Sequence, residues 1–275
     1  MKIVFFIIAC FFLLNSGLCQ DTIHVWPGLV PGEKEPPHPA VVSDNHSGNV
    51  TRLTDVTDPV LEVFKPDSGM EKNISIIVCP GGAYKILAID KEGYEIARWL
   101  NTLGITAYTL QYRVPDKQDG ALQDIQRAIR LVRQTDPLKT IGVMGFSAGG
   151  SLSARAATLF DKKTYKPVDN ADTLSCRPDF AVLIYPAYLD LGENHSLTPE
   201  LVIGADTPPF FIFNTADDSY GNSSLVMTTA LRDHKIPVEL HVMPKGGHGY
   251  GLRKGKLAAE TWPGLLKKWI DNEVK

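Results

Sequence analysis

Hydrophobic and polar positions follow two rhythms along this chain. From Val50 to Val56 and from Pro59 to Phe64 they alternate, with Thr57-Asp58 between the runs, the period-two signature of two half-buried strands. These are expected to pair antiparallel at the edge of a sheet. At Ile74 the alternation gives way to an unbroken apolar run ending at Cys79, as in a strand covered on both faces, and then to Pro80-Gly81-Gly82-Ala83-Tyr84. Ile89, Tyr94, Ile96, Ala97 and Leu100 fall near one face of a helix over 89–103, which Gly104 closes. The same unit then recurs, with strands expected at 105–112, 140–146, 180–185, 210–214 and 238–243 and helices at 121–134, 148–160, 223–234 and 256–270. Such alternation requires crossovers and implies a mostly parallel sheet with helices on both faces. No linker interrupts it, so 49–275 reads as one α/β domain.

Two segments precede that domain. Residues 20–48 are rich in Pro, Gly, His and Asp without apolar periodicity, and are expected to form an extended arm lying over the domain. Residues 1–19 read as a signal peptide: Met1-Lys2, an apolar run from Ile3 to Leu14, then Ser16, Gly17 and Cys19, with cleavage expected before Gln20. The run is short for a permanent crossing of ~30 Å of hydrocarbon. A secreted or periplasmic protein with no membrane span after cleavage is therefore expected. A lipid anchor through Cys19 fits less well, because Leu18 is a poor neighbour for a modified cysteine.

Composition narrows the function. The 275 residues carry 28 Lys and Arg against 31 Asp and Glu, with 44% hydrophobic residues, as in ordinary globular proteins. With no basic block, nothing matches the phosphates of a nucleic acid, and that partner class is excluded. Cleavage would leave two cysteines, Cys79 and Cys176, neither at metal-ligand spacing. Both are expected to be free thiols, and no metal or other cofactor is expected. Asn-x-Ser/Thr triplets begin at Asn45, Asn49, Asn73, Asn194 and Asn222, and matter only in a glycosylating host.

The chemistry concentrates after strands, where ligands of a parallel α/β sheet collect. The strand 140–146 runs into Gly145-Phe146-Ser147-Ala148-Gly149-Gly150 and an Ala-rich helix. A G-x-S-x-G between strand and helix is a sharp turn that lifts the serine hydroxyl above the sheet. A phosphate-binding turn is the alternative, but the Lys-Ser/Thr of a P-loop and the spacing of a dinucleotide site are missing. A serine hydroxyl needs a neutral imidazole to take its proton and a carboxylate to orient that imidazole. Of the histidines after Ser147, His241 falls within a strand, His234 at a helix end and His195 in a polar stretch over 190–206. His248 lies in Lys245-Gly246-Gly247-His248-Gly249-Tyr250-Gly251, directly after a strand, and is the candidate base. The strand 210–214 exits into Thr215-Ala216-Asp217-Asp218, so Asp217 or Asp218 is the candidate acid, with Asp190 and Asp206 as outside candidates. The Ala148 N–H and the backbone of Gly81-Gly82-Ala83 are candidate donors to a developing oxyanion.

These stretches resemble the α/β-hydrolase superfamily, and within it the bacterial acetylxylan esterase-like group of small carbohydrate esterases. The likeness rests on 78–84, 92–115 with Ala97-Arg98-Trp99-Leu100-Asn101 and Gln111-Tyr112-Arg113-Val114, 141–150, Arg177-Pro178-Asp179-Phe180, Pro208-Pro209-Phe210, Ala216-Asp217-Asp218 and Lys245-Gly246-Gly247-His248-Gly249. The resemblance implies a single-domain α/β-hydrolase fold, a nucleophile at Ser147, an acid at Asp217, a base at His248 and oxyanion donors at Gly82, Ala83 and Ala148. The sequence departs from the group at Ala83, where relatives often carry a third glycine, and at Ser151, where a histidine is expected. The implied activity is hydrolysis of short acyl esters, most of all deacetylation of xylan or other acetylated carbohydrates, with Tyr84, Tyr188 and the stretch 190–206 shaping the acyl pocket. A feruloyl or general carboxyl esterase is the alternative, and a non-catalytic binding module on the same fold is the second.

Overall fold

Six consecutive buried residues, Ile74–Cys79, build the strand around which the molecule is organised. The computed structural model describes residues 21–274; the expected signal segment lies outside them. In chain order the strands are β1 (Asp21–His24), β2 (Val41–Val42), β3 (Arg52–Thr54), β4 (Val60–Phe64), β5 (Ile74–Cys79), β6 (Leu87–Ala88), β7 (Thr106–Gln111), β8 (Thr140–Phe146), β9 (Phe180–Ile184), β10 (Phe210–Thr215) and β11 (Val238–Met243). The helices are α1 (Glu95–Thr102), α2 (Gln118–Thr135), α3 (Ala148–Thr158), α4 (Gly221–Asp233) and α5 (Leu257–Glu273). Eight strands form the main sheet in the order β1-β4-β7-β5-β8-β9-β10-β11, and β2-β3-β6 form a small second sheet. In the main sheet β1, β4 and β7 pair antiparallel, and from β7 to β11 every pairing is parallel.

The interior strands send alternate residues to two cores, as the two-residue period of a pleated strand requires. Ile77 and Cys79 of β5, Ile141 and Val143 of β8 and Phe210 and Ile212 of β10 face a core closed by α2, α3 and α4. Ile76 and Val78, Met144 and Phe146, and Phe211 and Phe213 face the opposite core, closed by α1 and α5. Trp262 of α5 is fully buried there. After β5 the chain passes to β7 on one side and later returns to β8 on the other, so the direction of winding reverses between β5 and β8. A crevice opens at such a reversal, at the carboxyl ends of the strands.

Two expectations about the first third of the chain are corrected. The runs over 50–56 and 59–64 do not pair with each other: β3 joins the small sheet between β2 and β6, while β4 lies between β1 and β7. Alternation reports one buried face and says nothing about the partner. The segment 20–48 is not merely an arm laid over the domain, because it supplies β1, an edge strand of the main sheet, and β2. It is fastened by polar contacts that apolar periodicity does not reveal. Trp26 Nε1 donates to Asp124 Oδ1 at 2.8 Å, and Arg113 Nη1 donates to the Pro31 carbonyl at 2.6 Å.

Arg113 and Asp124 are both buried, and their side chains meet at 2.8 Å. Asp124 also accepts the Arg113 backbone N–H at 3.0 Å. Every donor and acceptor of the pair thus has a partner, and removing one side would strand the other charge out of water. Asp124→Ala is expected to cost about 3–5 kcal/mol, measured as a lower urea midpoint, with Trp26 fluorescence reporting release of the arm.

Candidate active site

The sharp turn after β8 is enforced by backbone packing. Ser147 has φ 52° and ψ −118°, in the left-handed half of conformational space, which a non-glycine residue holds only when its surroundings demand it. They do. A Cβ on Gly145 would stand 1.9 Å from the Gly149 carbonyl oxygen, and one on Gly149 would stand 2.0 Å from that of Cys79. Helix α3 therefore starts in direct contact with the backbone of β5 and β8, and Ser147 is held at its mouth. Its N–H donates to Ile184 O at 3.2 Å, and its carbonyl accepts from Ser151 and Ala187. Ser151, where a histidine was expected, is buried in the first turn of α3.

Beyond the turn the loops after β10 and β11 converge on the hydroxyl. His248 Nε2 lies 2.7 Å from Ser147 Oγ, and its Nδ1 lies 2.8 Å from Asp218 Oδ2. The other Asp218 oxygen accepts the Tyr220 N–H at 2.9 Å, and the carboxylate is wholly shielded from solvent. The acid assigned by resemblance, Asp217, is corrected on this geometry. Asp217 points to the other side of the turn, is exposed, and accepts the N–H groups of Gly246 and Gly247 at 2.9 and 2.8 Å. Those bonds, the Gly247 one foremost, hold its carboxyl below the ordinary aspartate range. Consecutive side chains diverge in a tight turn, so one aspartate reaches the imidazole and the other ties down the loop that carries it. The remaining histidines lie elsewhere: His195 is exposed, His234 Nδ1 lies 2.9 Å from Ala230 O, and His241 Nε2 lies 2.7 Å from Glu239 Oε1. Asp190 accepts from Ser223 and Asn222 instead.

Gly82 and Ala83 border the same space. A cleft of about 340 Å³ opens over Ser147 and His248, walled by Val50, Arg52, Ile86, Ala88, Tyr188 and Tyr220 among others. Gly82 has φ 137°, and a Cβ there would lie 2.0 Å from Ile86 O, so only glycine fits. No backbone carbonyl among the described residues accepts from Gly82 or Ala83 N–H. The Ala148 N–H opens α3, where the first turn has no intrahelical carbonyl to bond. Gly81 differs, because its N–H is taken by Glu92 Oε2 at 2.8 Å.

Tyr188 lines the cleft, but Tyr84 does not. Ala83 and Tyr84 both have positive φ, at 58° and 57°, and this double left-handed step turns the Tyr84 ring inward between Tyr112 and Tyr188, with centroids 6.1 and 6.3 Å away. Burial pushes its phenol up to about 12. The stretch 190–206 also contributes no wall; Leu201 and Ile203 anchor it in the core instead. Sequence reasoning missed three residues around the imidazole: Tyr220, ring centroid 4.9 Å from that of His248; Tyr185, at 5.1 Å; and Glu92 beneath them. Tyr185 ends the strand expected at 180–185 and Tyr220 follows the one expected at 210–214, and a place at a strand's carboxyl end is the one signal that marks them.

Cys79 and Cys176 are free and buried, and burial raises both thiols, Cys79 to about 12. Among the described residues no group of three or more His, Cys, Asp and Glu is placed to hold a metal ion, and no helix is long and apolar enough to cross a membrane.

No protein-family model matches the chain. Among known proteins it is similar to an acetylxylan esterase of Xylanibacter ruminicola, 27% identical in a 209-residue alignment that covers 65% of this chain and 41% of that protein. It is also similar to endo-1,4-β-xylanase B of Butyrivibrio fibrisolvens, 31% identical over 209 residues, 65% of this chain and 32% of that protein. The chain thus matches less than half the length of these two relatives. Among solved structures, an acetyl ester-xyloside bifunctional hydrolase from Caldicellulosiruptor lactoaceticus superposes with a TM-score of 0.73 at 34% identity, covering 91% of this chain and 95% of that one. The chain belongs to the acetylxylan esterase-like group of α/β hydrolases. Another α/β hydrolase, MGS-M1 from a Medee basin deep-sea metagenome library, matches at 26% identity and a TM-score of 0.60.

The sheet order and the turn at Ser147 described above are thus those of an α/β hydrolase, and they make a steric prediction. Gly149→Ala in this hydrolase would drive a methyl group into the Cys79 carbonyl, at a cost of about 3 kcal/mol or more. The expected result is a sharply lower melting temperature, whereas Gly264→Ala, where nothing lies within 4 Å, should leave stability within about 1 kcal/mol.

Proposed function

We propose that the protein is a serine esterase that removes short acyl groups, acetyl foremost, from xylan or other acetylated plant polysaccharides and their oligosaccharides. The observation that carries this reading is the continuous relay Ser147 Oγ, His248 Nε2, His248 Nδ1, Asp218 Oδ2, with links of 2.7 and 2.8 Å, at the floor of a cleft in a member of this group. Ser147 Oγ attacks the acyl carbonyl as its proton passes to His248 Nε2. The oxyanion forms against the N–H groups of Ala148 and of Gly82 and Ala83, a contact that typically supplies a few kcal/mol to the transition state. The tetrahedral centre collapses, the C–O bond to the sugar breaks, and the imidazolium returns the proton to the departing alkoxide. Water, deprotonated by His248, then attacks the acyl-enzyme, and carboxylate leaves as the proton returns to Ser147. Asp218 holds the Nδ1–H tautomer throughout and stabilises the imidazolium.

The cleft wall suits an acetylated sugar. Val50, Ile86 and Ala88 offer small apolar surface for a short acyl chain, while Arg52, Tyr188 and Tyr220 offer polar and aromatic surface for a hydroxyl-rich leaving group. We place the protein in the exported compartment on the strength of its first 19 residues, in which case the secreted form should begin near Gln20 when its N-terminus is sequenced.

Acetate release from acetylated xylan, hydrolysis of an aryl acetate and hydrolysis of methyl ferulate should be compared. Deacetylation is expected to dominate, and feruloyl activity without acetate release would overturn the substrate assignment. Ser147→Ala should abolish hydrolysis and fluorophosphonate labelling while the fold persists. Asp218→Asn should lower kcat by about 10⁴-fold by presenting the wrong tautomer. Asp217→Asn should cost less than about tenfold, because it loosens the loop without touching the ring; the reverse ranking would restore Asp217 as the acid.

A further inference from the structure

One acidic side chain lines the cleft and has no part in the relay. Glu92 sits on a single π-helical turn, Asp90–Tyr94, that leads into α1, an irregularity that often occurs at functional sites. It is 4% exposed, and its two oxygens are engaged in opposite directions. Oε2 accepts the Gly81 N–H at 2.8 Å, and Oε1 accepts the Tyr185 hydroxyl at 2.9 Å. The Tyr185 oxygen in turn accepts the Gly251 N–H at 2.9 Å, three residues beyond His248, and the Tyr185 ring meets the imidazole edge-on. A hydrogen-bonded bridge therefore runs beneath the cleft from the loop after β5 to the loop after β11.

We propose that Glu92 is a positioning residue, whose one carboxylate sets the oxyanion-donor loop and the imidazole loop against each other. The proposal rests on the serine-esterase reading. Fixing the Gly81 peptide fixes the orientation of the Gly82 and Ala83 N–H groups that follow it. Those groups act only when the tetrahedral oxyanion forms, so their displacement falls on kcat more than on KM. The bridge also carries negative charge near the ring that becomes cationic in that same state. Neutral glutamine fills the same volume but has one acceptor oxygen, so with that oxygen on the Gly81 N–H its amide can meet Tyr185 only as a donor, and the buried phenol hydrogen loses its charged acceptor.

A pH signature follows. Burial raises the Glu92 carboxyl above the ordinary glutamate range, against the opposing bonds from Tyr185 and Gly81. The charged or titratable groups facing it are the phenols of Tyr185 and Tyr112, the Lys91 ammonium and the His248 ring. As pH falls through the raised value, Glu92 takes up a proton, one oxygen becomes a donor and the bridge opens. Protonation of Glu92 thus contributes to the fall of the wild-type rate on the acid side, and that contribution is missing in Glu92→Gln.

The test is steady-state hydrolysis of 4-nitrophenyl acetate across pH by wild type, Glu92→Gln, Tyr185→Phe and the double variant, with folding checked by circular dichroism. Glu92→Gln should lose about 10- to 100-fold in kcat, less than removal of an oxyanion donor outright, with KM changed less than about threefold and a shallower acid limb. Tyr185→Phe should lose less, and the double variant should resemble Glu92→Gln alone, because both break one bridge. Wild-type kcat with an unchanged acid limb in Glu92→Gln, or additive losses in the double variant, would overturn the proposal. If Glu92→Gln does not fold, Tyr185→Phe decides, and an unaltered kcat there overturns it. A wild type that neither hydrolyses an ester nor labels at Ser147 refutes the esterase reading itself, an outcome distinct from any difference among the variants.

Discussion

Three backbone segments meet at the nucleophile with no side chain between them: the end of β5, the end of β8 and the first turn of α3. Gly145 lies against Gly149, Gly149 against Cys79, and a Cβ on Gly81 would lie 2.9 Å from the Ser147 Cβ. This contact holds Ser147 in a conformation it would not adopt alone. It also brings the loop after β5 and the first turn of α3 alongside Ser147. The remaining parts of the site are built by reference to it. β5 stays in register with β8 to its last residue, with Cys79 opposite Gly145, so the loops that leave the two strands start side by side.

The base is supplied from the far side of the sheet by a loop that has little structure of its own. Gly247, Gly249 and Gly251 all have positive φ, a flexibility that would scatter the imidazole unless the surroundings held it. Asp217 holds two of the loop N–H groups, Thr215 Oγ1 donates to the Gly247 carbonyl, Lys256 Nζ to the Gly246 carbonyl and Trp262 Nε1 to the Gly251 carbonyl. The adjacent aspartates therefore divide the work: one orients the ring and the other orients the backbone that bears it.

Much of this was legible in residue patterns because the interior of a parallel sheet imposes strong ones. Strands β8 and β11 have the bounds their residue patterns predict, 140–146 and 238–243, and the turn at Ser147 announces itself through glycines that only steric crowding requires. What stayed hidden depended on direction or on distant polar partners. Nothing in Ala216-Asp217-Asp218 says which carboxylate faces the ring, since that is decided by the course of a four-residue turn. Tyr84 looked like a cleft residue from its place after β5, yet two successive left-handed residues send it into the core. Glu92 lies within the helix expected over 89–103 without any mark of its own, and its burial is visible only once Gly81 and Tyr185 are placed around it. The first strand escaped notice because its four residues, Asp21–His24, carry no apolar run and are held by their backbone ladder to β4.

The fastening of that first strand has a consequence for how the chain is made. Trp26 and its acceptor Asp124 are 98 positions apart, and Arg127 Nε, which donates to the Val25 carbonyl, lies 102 positions from it. A ribosome emits the N-terminal residues first, but their docking place does not exist until α2 has emerged. Val25 and Trp26 must therefore wait for α2 before they settle, since contacts between remote positions form slowly.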